Sequence, residues 1–288
     1  MAALFALIGT LLLVPGGPQD VTVVQQYAFG SFDDASRILV TPEGGIFVVD
    51  PGRQSVIFYS TAKAEAHSVG GYGWLPGSFD RPTGVASDGV NVYVADYGNH
   101  RIQRFDRRLN FISALSTHDT SDAALRFGYP RGVALTGFGD LLILDGENHR
   151  LLKFTAGSRF DPLFAAAGIN QGMLGDLVNV RVTPGGTIVL GERGALHVLD
   201  LFGNELRVIR DDRLKDLQGF DADDHRIVAV TDSALLWLSM NGTQPEAITP
   251  VHLMSEHAVR GMRDVALQGD LLYLLLRESV LVFRVTAH

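Results

Sequence analysis

The sequence repeats itself, and a chain that returns to one pattern every 40 to 50 residues or so has few folds open to it. Residues 79–105 hold three short β-signals in a row. These are Gly84-Val85-Ala86 after a proline, the β-branched and aromatic run Val92–Ala95, and Ile102–Phe105, where apolar residues alternate with polar ones. Asp-Gly and Gly-Asn turn signals separate them, so the unit reads as an antiparallel meander. Phe127–Ala134, Leu141–Asp145 and Asn148–Phe154 repeat it almost residue for residue. Phe32–Tyr59 aligns without a gap, with Ile46–Asp50 in the place of Val92–Asp96. Fainter copies start at Leu174, Leu214 and Val259, around the runs Ile188–Leu190, Ile227–Val230 and Leu271–Leu275. Six such units predict an all-β fold, a six-bladed β-propeller.

The chain ends supply the closure. Asp20–Gly30 precedes the first full copy as an orphan strand, while the last copy stops at Val285–His288 without a fourth strand. The N-terminal strand is therefore expected to pair with Val280–Val285 and complete the last blade, which removes the open edges of the ring. The central run of each copy, such as Leu141–Leu144, is apolar on both faces, as in a strand buried between neighbouring sheets. These runs are core and carry no functional information.

The order Pro-x-Gly-Val-Ala, an apolar run ending in Ala-Asp or Leu-Asp, then Asn-His-Arg-Ile or Asn-His-Arg-Leu resembles the NHL repeat. Copies two and three carry all of it. Copy one has Gly52-Arg53-Gln54-Ser55-Val56 in place of Gly98-Asn99-His100-Arg101-Ile102, and copies four to six lack the tripeptide and rest on spacing and apolar runs. The resemblance covers nearly everything after about residue 21 and implies architecture more than activity.

Composition narrows the partners. The 24 basic and 32 acidic residues give a net charge of −8, which opposes non-specific attraction to phosphate backbones, so the RNA binding known for some animal NHL propellers is not expected and the partner is read as no nucleic acid. With no cysteine, disulfides, thiolate metal sites and thiol catalysis are excluded. Ala2–Val14 is apolar apart from Gly9 and Thr10. As a helix it would be about 20 Å long, short of a hydrocarbon core of about 30 Å, and nearer to the apolar region of a secretory signal. Residues 1–20 are read as a signal peptide or apolar anchor with its linker, and residues 21–288 as the propeller. The expected location is exported, periplasmic or extracellular, with residues 2–14 as the tether if they stay attached.

Three constellations could carry chemistry. Asp50, Asp96 and Asp145 recur at the end of the second strand, but later copies put Glu192, Thr231 and Leu276 there, so they read as acceptors for the following turn rather than a cation ring. His100 and His149 occupy equivalent turn positions. The peptide-amidating lyases, which resemble this fold, hold zinc with channel histidines, whereas these two belong to the repeat's turn, so no metal and no cofactor is expected. Calcium-dependent lactonase propellers place Glu, Asn and Asp on the innermost strands, where only Asn179 and Asp264 are available here.

The innermost strand lines the channel. Its two aligned positions beside Gly84 read Ser36-Arg37, Thr83-Gly84, Arg131-Gly132, Val178-Asn179, Gln218-Gly219 and Arg263-Asp264. Arg37, Arg131, Arg263, Asn179 and Gln218 are expected to ring one mouth, with Asp264 beside them. The ring forms either a self-paired rim or a site for an anion or carboxylate, which guanidinium forks bind with two hydrogen bonds. No Ser/His/Asp set, phosphate-cradling loop or carboxylate pair emerges, so no catalytic residue is assigned. The expected function is a non-catalytic binding or scaffold propeller for another protein, membrane-associated through the N-terminal segment. The alternative is a channel-mouth lyase or hydrolase resembling the peptide-amidating lyases.

Overall fold

A computed structural model describes residues 21–60, 66–156, 158–165, 169, 174–232, 234–240, 249–251 and 261–287. The apolar run at residues 2–14 lies outside them. The described chain forms six antiparallel sheets of four strands each. Blade 2, the clearest copy, consists of Pro82–Ser87, Asn91–Asp96, Arg101–Asp106 and Phe111–Leu115, in that order from the channel outward. Blade 6 takes three strands, Met262–Gln268, Leu271–Leu276 and Val280–Ala287, from the C-terminal end of the chain. Its fourth is Val21–Phe29, paired antiparallel from Val21 opposite Ala287 to Phe29 opposite Val280, with a bulge between Gln25 and Tyr27. The ring is thus closed by the two ends of the chain, as the orphan strand requires.

Burial follows the sequence pattern. Every residue of the second strand of blade 3, Leu141–Asp145, is buried, whereas the outermost strand of blade 2, Phe111–Leu115, is largely exposed. The cores lie between blades. Tyr93, Ala95 and Ile102 of blade 2 pack against Phe127, Ile143 and Leu152 of blade 3 in one cluster. At the closure, Ile46 and Val48 of blade 1 pack against Leu275 and Val282 of blade 6. Each fully buried side chain of this kind is worth about 1.5–3 kcal/mol, so a blade is stable because of its neighbours more than on its own. Among the described residues no helix is long and apolar enough to cross a membrane.

The recurring aspartates act as fasteners. Asp96 is fully buried and accepts from the Asp80 amide through Oδ1 and from Asn99, Arg101 and Gln103 side chains through Oδ2. Asp145 likewise takes the Asn148 and Arg150 side chains and the amides of Gly128, Glu147 and Asn148. The Asn and Arg of the Asn-His-Arg tripeptide therefore close on the carboxylate ending the strand before them, and the amides of Asp80 and Gly128 lock the loop entering the blade to the same group. Between those two residues the chain must turn sharply. His100, His149 and their counterpart Gln54 all sit in the left-handed region, at φ 51°, 53° and 51°.

Candidate functional site at the channel mouth

The first of the two aligned positions lies at the mouth. Arg131, Gln218 and Arg263 line a cavity of about 400 Å³ together with Arg37. Two more arginines join them, Arg81 and Arg193. Four guanidinium groups, of Arg81, Arg131, Arg193 and Arg263, thus stand at the opening above Arg37, against the carboxylates of Asp34 and Asp176. Those two are shared: Asp34 lies 3.5 Å from Arg263 and 3.4 Å from Arg277, and Asp176 lies 3.8 Å from Arg131 and 3.1 Å from Arg193. These pairs are well exposed and worth at most about 1 kcal/mol each. Tyr97 stands among the arginines, its ring 5.3 Å from Arg81 and 6.0 Å from Arg131.

The second position runs deeper than the rim. Its residues are Arg37, Gly84, Gly132, Asn179, Gly219 and Asp264, and each glycine abuts the inner strand of the next blade. A methyl group on Gly219 would collide with the Asp264 carboxylate, and one on Gly84 would meet Gly132 Cα at 3.0 Å. This close approach explains the glycines at that column. Asn179 and Asp264, expected at the mouth, are instead buried below it, at 2% and 0% exposure. Asp264 does not pair with the mouth arginines. Its Oδ2 accepts from the Ile38 amide at 3.0 Å and from Arg181 at 3.1 Å.

Two arginines cross the channel in opposite directions. Arg37 of blade 1 donates to the carbonyls of Val178 in blade 4, at 2.7 Å, and Gln218 in blade 5, at 3.1 Å. Arg181 of blade 4 donates to the Ile38 carbonyl of blade 1 at 2.8 Å and approaches Asp221 at 3.7 Å. With Asp264 and Asp221 these arginines form a buried plug of two guanidinium and two carboxyl groups. Burial dominates its electrostatics: it lowers the Arg37 pKa and raises those of Asp264 and Asp221, in both acids against the pull of Arg181. Among the described residues, five buried polar atoms near the plug have no hydrogen-bond partner, namely Ser36 Oγ, Arg37 Nε, Asn179 Nδ2, Arg263 Nε and Asp264 Oδ1. All five come from the two aligned columns.

Several residues here escaped the reading of those columns. Tyr97 and Arg193 occupy the position just after the repeat's aspartate, which also supplies Pro51 to the cavity wall. Arg181 and Asp221 lie two residues beyond Asn179 and Gly219, on the same face of their strands by the period of two. Elsewhere, His149 keeps to its turn, with Nδ1 3.1 Å from the Gly175 carbonyl. His100 does more: it meets His118 and Glu147, neither of which belongs to the repeat pattern. Burial, with His118 adding to it, lowers the His100 pKa.

Comparison with known proteins agrees with this geometry. Residues 79–105 and 127–154 each match the family model described as NHL repeat. The protein brain tumor of Drosophila melanogaster is 29% identical over 160 residues, which make up 52% of this chain and 14% of that protein. The chain therefore spans only a small part of that relative's length. Among solved structures, the PQQ-bound aldose sugar dehydrogenase of Streptomyces coelicolor has a TM-score of 0.64 at 13% identity, with 94% of this chain and 100% of that one covered. A catalytically inactive virginiamycin B lyase from Staphylococcus aureus with quinupristin has a TM-score of 0.60 at 9% identity, with 96% and 98% covered. Identities this low speak for the shared fold alone. The chain thus carries two repeats that match the NHL repeat, in blades 2 and 3 of a six-bladed ring closed by its N-terminal strand.

Proposed function

We propose that this propeller is a non-catalytic binding module that takes an acidic segment of a partner protein at its channel mouth. The observation that carries the reading is the excess of four rim arginines, Arg81, Arg131, Arg193 and Arg263, over two aspartates around one cavity, on a chain whose net charge is −8. Guanidinium forks bind carboxylates with two parallel hydrogen bonds, and the weak exposed pairs with Asp34 and Asp176 can be exchanged for a partner's acids at little cost. Beside the mouth, the loop joining blades 1 and 2 exposes Tyr72, Trp74 and Leu75 at 78%, 72% and 74%. Arg101 holds that loop through the carbonyls of Trp74 and Leu75, and Asn99 holds it through Gly73, two residues from Tyr97. Aromatic and arginine anchors on one surface are the residues that dominate protein interfaces. A lyase or hydrolase at this mouth is the rival reading. The groups lining it hold anions better than they move protons, since among the described lining residues there is no histidine and both carboxylates are shared by arginines.

The test is the charge-reversed double variant Arg131→Glu with Arg263→Glu, leaving Arg37 in place because it braces the channel. Fluorescence anisotropy with a labelled glutamate-rich peptide should show at least a tenfold loss of affinity, about 1.4 kcal/mol, and a steep dependence on salt. Equal binding by both proteins removes the mouth from the interaction. An RNA oligonucleotide that binds more tightly than the peptide, and is lost in the same variant, would replace the protein partner with a nucleic acid. We further propose export, on the strength of the apolar run Ala2–Val14. A fusion of residues 1–30 to a reporter active only outside the cytoplasm should give signal, and retention in the cytoplasm would count against it.

A further inference from the structure

We propose that His100, His118 and Glu147 form a binding site for a borderline divalent metal ion, with Zn²⁺ as its best occupant, at the junction of blades 2 and 3. One ligand atom from each lies within 4.8 Å of the others. The three come from separate places in the chain: the left-handed turn of blade 2, the long connection between the blades, and the turn of blade 3. The rings of His100 and His118 are 4.3 Å apart, and His118 Nδ1 is 4.0 Å from Glu147 Oε2.

A second, independent observation indicates where these groups point. A methyl group built on Gly128 would overlap Glu147 Oε2 and lie 3.0 Å from His100 Nδ1, so both atoms border the space over this glycine that a side chain would fill. His100 Nδ1 accepts only a long bond there, 3.3 Å from the Tyr129 amide. Metal–ligand bonds of about 2.0–2.1 Å in a tetrahedron put the ligand atoms roughly 3.4 Å apart. His118 and Glu147 are exposed at 43% and 37% on their side chains, so small rotations of those two close the difference. The donor set of two imidazoles and one carboxylate leaves a fourth tetrahedral position for water or for a group from a partner.

The placement gives the ion a structural consequence. It would tie the turn of blade 2 to that of blade 3 across the connection at residues 116–127, which Thr117 braces through Leu125 and Phe127, which Ser116 joins to the His100 carbonyl, and which Arg150 joins through the carbonyls of Ala123 and Arg126. It would also sit one ring from the mouth. Tyr129 packs 4.1 Å from His100 and 5.1 Å from Tyr97, which stands between Arg81 and Arg131.

The experiment is a titration of the chelator-stripped full chain with Zn²⁺ at neutral pH, in competition with a chromophoric chelator. One equivalent should bind to the wild type, at least tenfold more tightly than to His118→Ala or to Glu147→Gln. Because both side chains are exposed, these variants should keep the wild-type urea midpoint without metal. His100→Gln adds a third arm, since Gln54 already occupies that turn in blade 1 at the same φ. His149→Ala should bind as the wild type does. No stoichiometric binding above that of the ligand variants, or an equal loss in His149→Ala, would overturn the site.

Discussion

Two kinds of buried aspartate divide this molecule. Asp96 and Asp264 are both 0% exposed, yet Asp96 uses both oxygens on four donors, whereas Asp264 leaves Oδ1 with none. Asp96 belongs to a column that repeats, and its donors repeat with it, since Asn148 and Arg150 serve Asp145 as Asn99 and Arg101 serve Asp96. Asp264 occupies a column that reads glycine in three blades and differs in the other three. Its partner Arg181 comes from two blades away and has no equivalent elsewhere. Repetition marks the groups that build a blade, because every blade must solve the same problem of locking its hairpin. A charged group in a column that reads glycine in three blades answers to something particular to this chain.

The largest expected effect tests the fasteners. Asp96→Ala strands the Arg101 guanidinium and the amides of Asn99 and Gln103 in a buried site, and should cost about 3–5 kcal/mol in urea denaturation. Asp50→Ala should cost less, about 1–3 kcal/mol, because Asp50 accepts mainly two backbone amides, from Asp33 and Asp34. If the two variants unfold alike, the tripeptide donors add nothing and the distinction between full and reduced repeats has no energetic basis. The next effect tests the plug. Gly219→Ala places a methyl group against the Asp264 carboxylate and 2.8 Å from the Arg263 carbonyl, an overpacking worth about 1–3 kcal/mol. The same change at Gly139, whose added Cβ meets nothing within 4 Å, controls for crowding but brings strain from its φ of 80°. Gly137, equally open, is the cleaner control. A Gly219→Ala protein as stable as Gly137→Ala would mean the plug yields freely.

How far the sequence could be read follows the same division. Blade count, closure and buried central strands were legible because they rest on local period and on matching the two chain ends. The convergence of Arg37, Arg131, Arg263 and Gln218 on one cavity was legible because aligned positions of a ring meet at its axis. The depth of Asn179 and Asp264 was not. It depends on the bulges that separate the two columns in five of the six inner strands, and these are set by pairing rather than composition. The meeting of His100 with His118 and Glu147 was also hidden, because His118 sits in a connection with no counterpart in other copies. A loop's course is fixed by contacts such as those of Thr117, which no periodicity announces.

The smallest expected effect concerns pH and bears most directly on the plug. Burial raises the pKa of Asp264 in the folded state, with Arg181 and Arg37 opposing, so the native protein holds this proton more tightly than the unfolded chain does. A group raised in this way contributes stability that is fully present below its unfolded value, near pH 3.9, and is lost as pH rises through its folded value. Asp264→Asn removes the titration but keeps an oxygen to accept the Ile38 amide. Its stability should therefore fall less between about pH 4 and pH 7 than that of the wild type, by about 1.4 kcal/mol for each unit of the shift it abolishes. Asp224 gives the opposite sign. Hydrogen bonds from Thr183 and the Gly185 amide lower its pKa, so it contributes stability above its unfolded value that is lost as pH falls. Asp224→Asn should accordingly flatten only the acid end of the curve. Urea midpoints measured across this range separate the two. If Asp264→Asn tracks the wild type throughout, Asp264 is ionised in the folded state as readily as in the unfolded chain. The crossed arginines would then neutralise the plug fully, and the contrast with the fasteners would be one of hydrogen bonds alone.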